Sequence, residues 1–122
     1  MSRFVYYNRN PQHKRKENDC VCRAISLALD LDYYEVLHKL KLTSELYDCD
    51  RYLLCCYKTL IQDVFKCRSI QCENITVGEF ADRHKYGTFI VRTVGHLTCI
   101  IDGTVYDIFD CRNEMATDAW QV

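Results

Sequence analysis

The chain has 122 residues, 16 Lys and Arg against 17 Asp and Glu, and 48% hydrophobic residues. That length supports one domain over residues 1–122 with a core of its own, and balanced charge removes any global argument for nucleic-acid or membrane-surface binding. No stretch approaches the ~20 apolar residues of a membrane span. Nine cysteines in a short chain would suit a disulfide scaffold. The count is odd, however, several fall inside apolar helical or strand patterns, and no secretory signal opens the sequence. Buried free cysteines behave as small hydrophobes, so the expectation is a reducing, cytoplasmic setting (host cytoplasm if viral) without disulfides.

In chain order, Arg3 to Tyr7 reads as an edge strand, followed by a polar leader that holds the single proline, Pro11. The basic run His13-Lys14-Arg15-Lys16 reads as a solvated loop rather than a nucleic-acid patch. Next comes Asn18-Asp19-Cys20-Val21-Cys22-Arg23-Ala24-Ile25, continued by Ser26-Leu27-Ala28-Leu29. Asn and Asp are strong N-cap residues because their side-chain oxygens accept the free N–H groups of a first turn. Cys20 is therefore placed at or just inside a helix N-terminus, where the macrodipole and free amides favour thiolate over thiol. Val21, Ala24, Ile25, Leu27, Ala28, Leu29 and Leu31 make this helix apolar on more than one side, the mark of a helix buried at the centre of a domain.

Asp32-x-x-Glu35 opens a second helix with Tyr33, Val36, Leu37 and Leu40 inward and His38 outward. Leu53, Cys56, Tyr57, Leu60, Ile61 and Val64 recur at helical spacing and predict a third helix over 51–65. Residues 67–74 read as loop. Thr76-x-x-Glu79 is a capping box for a short helix that ends around His84-Lys85-Tyr86, with Gly87 as C-cap. The pairs Cys20/Cys22, Cys55/Cys56 and Cys67/Cys72 lack the C-x-x-C spacing that zinc favours, and a Cys67/Cys72/His84 set is too loosely spaced. Neither a metal nor another cofactor is expected.

Strands follow. Thr88 to Arg92 is β-rich, Val94-Gly95 forms a short link, and Gly95 to Ile101 reads as a buried strand. Asp102-Gly103 is a type I′ hairpin signal, and Thr104 to Asp110 returns as the next strand. Helices first and antiparallel strands afterwards predict an α+β fold.

An early cysteine, a histidine on a late strand and an acid on the next suggest nucleophilic chemistry. Imidazole and a helix N-terminus together lower a thiol's pKa. His96 would take the Cys20 proton and return it to a leaving amine, while a carboxylate fixes the imidazole tautomer. Two acids compete. In a strict two-residue hairpin His96 lies opposite Phe109, Asp107 is a diagonal neighbour on the histidine's face, and Asp110 points to the other face. A single bulge would reverse the faces beyond it. An oxyanion hole would use the Cys20 backbone N–H with Asn18 as the nearest side-chain amide.

The order cysteine, histidine, acid resembles that of papain-like cysteine peptidases. Cys20-Val21-Cys22-Arg23-Ala24-Ile25 resembles the C-L-F-R-A-I motif of ovarian-tumour-type deubiquitinases, and Tyr106 to Asp110 resembles the aromatic-x-x-F-D ending of ubiquitin-specific peptidases. The whole chain is similar to small papain-like proteins of phage genomes that open with N-D-C-x-x-R-A-I and close with G-H-x-x-x-x-x-D-G-x-x-Y-D. The likeness covers both ends well and the middle poorly. It implies a papain-like fold in which a buried nucleophile helix packs on a C-terminal antiparallel sheet. It also implies a cysteine hydrolase, peptidase or isopeptidase, acting on a host or viral protein or peptide with Cys20, His96 and Asp110 as triad. The F-D ending favours Asp110 over Asp107. Glu17-Asn18-Asp19 departs from the deubiquitinase D-G-N, and Lys14 stands at the spacing of papain's upstream glutamine. Papain-like folds also serve as deamidases, acyltransferases and inactive modules, so a protein-binding or effector role is the second reading.

Overall fold

The computed structural model describes residues 2–122. Its central helix, α1 (Cys20–Leu29), buries seven of ten residues, including Val21, Ala24 and Ile25, as its nearly all-round apolarity requires. Asp30 stops it in the left-handed conformation at φ 52°. Helix α2 (Tyr33–Tyr47) starts where the Asp32 carboxylate accepts the Glu35 N–H, and it buries Tyr33, Val36, Leu40 and Thr43. It runs seven residues past Leu40, the last position its apolar spacing marked. The third predicted helix is shorter than its apolar spacing suggested: α3 (Leu54–Thr59) widens into a single π turn over Leu60–Val64. Leu53 and Val64, both expected inside, are 56% and 52% exposed. Helix α4 (Val77–Arg83) has the full reciprocal capping box between Thr76 and Glu79. Its C-cap is His84 rather than Gly87, whose φ of +96° serves the entry into the next strand.

The strands are β1 (Arg3–Tyr6), β2 (Arg68–Ile70), β3 (Thr88–Thr93), β4 (His96–Ile101), β5 (Thr104–Asp107) and β6 (Asp118–Gln121). They form one six-stranded sheet in the order β1-β5-β4-β3-β6-β2. The fold is α+β as expected, but the sheet is mixed rather than wholly antiparallel, because β1 pairs parallel to β5 at one edge. Two strands went unforeseen: β2 lies within the expected loop, and β6 inserts between β3 and β2.

Strand alternation divides the core in two. Ile90, Leu97, Cys99 and Trp120 pack with α1, α2, α3 and the π turn. Phe89, Val91, Ile100, Val105 and Ala119 pack with α4 and with Cys111. Asp102 and Gly103, at φ 48° and 77°, make the left-handed two-residue turn that joins β4 to β5. The resulting register sets Ile101 against Thr104 and Cys99 against Tyr106 with no bulge. Among the described residues no helix is long and apolar enough to cross a membrane, and all nine cysteines are free thiols.

Candidate functional site

Three chain segments converge at one end of the sheet. Cys20 is the first residue of α1, so its amide belongs to the turn whose N–H groups lack intrahelical acceptors. Asp19 occupies the N-cap position without capping through its side chain. His96 is the first residue of β4, delivered by the Val94-Gly95 turn that pairs it with Thr93. Asp107 is the last residue of β5.

The Cys20 thiol and His96 imidazole line the same cleft and interact electrostatically, and His96 Nε2 lies 2.7 Å from Asp107 Oδ2. With Nε2 facing a carboxylate, Nδ1 is the nitrogen left for the thiol. The other Asp107 oxygen accepts the Ile108 N–H at 2.7 Å. Continuing the β4–β5 register puts Thr98 opposite Asp107 and His96 opposite Phe109, whose ring centroid is 4.6 Å from the imidazole.

This geometry corrects the choice of acid. Without a bulge to turn it inward, Asp110 is exposed and held at both oxygens by the Arg112 guanidinium, at 2.8 and 2.7 Å. That pairing holds its carboxyl below the usual range. The carboxylate at His96 is Asp107, the alternative that a strict hairpin specifies.

The electrostatics of the three groups reinforce one another. Burial opposes a charge on Cys20. The His96 hydrogen bond and charge, the Leu97 backbone and Arg23 outweigh it and hold the thiol below its ordinary value. Burial likewise opposes imidazolium, yet hydrogen bonds to Asp107, Cys111 and Cys20 raise His96 to about 11. Asp107 is buried, but its bond to His96 keeps it below the usual carboxylate range. The directions agree on a thiolate–imidazolium pair backed by an ionised carboxylate. Cys22, two residues on, is the opposite case. It is buried, donates to the Tyr33 carbonyl at 3.1 Å, and is pushed up to about 12 by burial and by Asp19.

Outside the pair lies a cleft of about 200 Å³, lined by Asn18, Cys20, Val21, Tyr52, Leu53, Leu54, Tyr57, Arg92, Gly95, His96 and Leu97. The Asn18 side chain is thus on the thiol's open side, and it is exposed. Arg92 is fixed in the wall by donating to Tyr57 Oη at 2.8 Å and pairing with Asp118 at 3.2 Å.

Several residues at the site escaped the sequence reading. Arg23 is buried and ion-paired to Asp19, which also accepts from Tyr33 Oη at 2.7 Å and Asn10 Nδ2 at 3.0 Å. The available signal was an Asp and an Arg four residues apart on a helix otherwise apolar all round. Nothing in the sequence pointed to Asn10 or Tyr33. Cys111 Sγ lies 3.9 Å from Asp107 Oδ2.

His96, Asp107 and Cys111 offer ligand atoms all within 4.8 Å of one another. Two ligands on a tetrahedral zinc stand about 3.3 Å apart given its bond lengths. The 2.7 Å between Nε2 and Oδ2 is therefore a hydrogen-bond distance, not a metal-spanning one. His84 of the loosely spaced cysteine set instead bonds the Phe80 carbonyl and stacks on the Phe80 ring. No protein-family model, curated protein or solved structure matches the chain.

Proposed function

We propose that the protein is a papain-like cysteine hydrolase that cleaves an amide or isopeptide bond in a protein or peptide. The observation that carries this reading is the alignment of Cys20 at a helix N-terminus, His96 against it and Asp107 at 2.7 Å behind the imidazole. The Cys20 thiolate would attack the substrate carbonyl from the cleft side. The Cys20 N–H and the Asn18 amide, which lines the cleft, are the donors proposed for the oxygen that then gains charge. The His96 imidazolium would protonate the leaving amine, and the neutral ring would afterwards activate water to hydrolyse the thioester. Asp107 keeps Nε2 protonated throughout, so that Nδ1 always faces sulfur.

Iodoacetamide labelling with mass-spectrometric mapping at pH 7 tests the core of this reading. Cys20 should react well ahead of the other eight cysteines, and His96→Ala should slow it, because thiolate fraction controls alkylation. Uniformly slow labelling, or first reaction at the exposed Cys55, would favour a catalytically inactive binding module instead.

A further inference from the structure

Helix α1 carries one cation, Arg23, and that cation is buried, at 7% exposure. Its two terminal nitrogens go to different carboxylates. Nη1 bonds Asp19 Oδ1, while Nη2 lies 3.7 Å from Asp107 Oδ1. Asp19 is in turn fixed from two other segments, by Tyr33 Oη of α2 and Asn10 Nδ2 of the leader. The Asp107 oxygen facing Arg23 is not the one facing His96. Read from the interior outward, Asp19, Arg23, Asp107, His96 and Cys20 form a line of alternating charge ending at the nucleophile.

We infer that Arg23 is a positioning residue: it holds the Asp107 carboxylate ionised and aimed, anchored through Asp19 to the α2 and leader segments, and so acts on Cys20 through His96 in addition to the direct pull of its own charge. This rests on the triad reading above. Two features single out arginine for the role. The fixed planar fork reaches two carboxylates at once, which the point charge of lysine does not. A guanidinium also stays charged in a buried site where lysine loses its proton. Cys20, Tyr106, Asp107, Tyr7 and Arg9 line the small space beside Arg23, and Asp19, bonded by Tyr33, closes the other side of the guanidinium, with the Cys22 thiol turned to the Tyr33 carbonyl. Arg9 is turned toward the Leu31 carbonyl and Asp30, leaving Arg23 as the cation between the two buried carboxylates.

The experiment is the pH profile of Cys20 alkylation by iodoacetamide in the full chain, with urea unfolding measured in parallel. Arg23→Met should move the midpoint of thiolate formation up by about one pH unit or more, slowing labelling about tenfold at any pH below both midpoints, since each unit there is a factor of ten. Arg23→Lys should fall between Arg23→Met and the parent. The double variant Asp19→Asn, Arg23→Met removes one of the two carboxylates left facing each other. It should regain stability while keeping the shifted midpoint, and it replaces the single variant should that one fail to fold. A folded variant, single or double, with the parental midpoint overturns the inference, as does a stability loss with no midpoint change. Failure of the triad reading looks different: the parent's Cys20 would titrate like an ordinary thiol and His96→Ala would leave the profile unmoved.

Discussion

Replacing Asp107 with Asn exchanges one carboxylate oxygen for NH₂ at almost no change in volume, yet the surroundings make it severe. Every neighbour of this carboxylate is a donor: His96 Nε2 at 2.7 Å on one oxygen, the Ile108 N–H at 2.7 Å and Arg23 at 3.7 Å on the other. An amide has one acceptor oxygen and one NH₂, so either orientation sets a donor against a donor. The oxygen will take the side with the guanidinium and the peptide N–H, and the NH₂ will face His96. The imidazole must then present a lone pair at Nε2 and a proton at Nδ1, the tautomer that cannot accept from Cys20. In triads this loss costs turnover on the order of 10⁴-fold. For labelling the effect is smaller. A thiol back at its ordinary value of 9.0 is about 1% thiolate at pH 7, and the greater nucleophilicity of a more basic thiolate recovers part of that. The net fall in iodoacetamide rate is about 10- to 100-fold. Asp110→Asn, which touches only Arg112 and its backbone, should leave the rate unchanged. Parental rates in Asp107→Asn, or an equal loss in Asp110→Asn, would refute the reasoning.

The thiolate–imidazolium pair should also mark the pH dependence of stability. Between pH 9.0 and the higher of 6.5 and the lowered Cys20 value, the unfolded chain carries thiol and neutral imidazole while the native chain, on the proposed pairing, carries thiolate and imidazolium. The proton counts match, so the pair's contribution is flat there. It falls below pH 6.5 while native Cys20 stays thiolate, since the unfolded state then binds the extra proton, and above pH 9.0 toward the raised His96 value, where the native state does. Urea titrations of the parent against Cys20→Ala, His96→Gln should give that plateau in the difference curve; a slope near 1.4 kcal/mol per pH unit across it would mean no pair forms. Gly95, at φ +78° with no heavy atom within 4 Å of an added Cβ, should tolerate Ala at a backbone cost of about 1 kcal/mol. Urea unfolding measures this, and a loss beyond about 3 kcal/mol would show a clash that the open space does not allow.

What the sequence revealed and concealed follows from how local each signal is. The apolar run of α1, the Thr76 capping box and the Asp102-Gly103 turn are encoded within a few residues, and each appears where those residues place it. Strand β6 is four residues with no β-branched run, and its pairing with β3 and β2 spans dozens of positions, so no local pattern announces it. Strand β2 has three residues in a polar, cysteine-flanked stretch. At the site, Cys20 and His96 were legible because a helix start and a hairpin fix them. The acid turned on a single register step, and there the turn geometry outweighed the resemblance of the chain's ending. Arg23 stayed hidden because a charge in sequence reads as a solvated face, and only packing shows it enclosed.

The place of β6 bears on when the site comes into being during synthesis. Cys20 leaves the ribosome long before His96 and Asp107, and β6 follows all three, yet it hydrogen-bonds in the sheet between β2 and β3. Until residues 118–121 emerge, β3 has no partner on that side and Trp120 is missing from the core beneath α1. Until His96 and Asp107 emerge Cys20 has no imidazole or carboxylate partner, and until β6 emerges the sheet that holds that partner is incomplete. On the proposed reading, the Cys20–His96–Asp107 arrangement would be complete only once the last strand has joined the sheet.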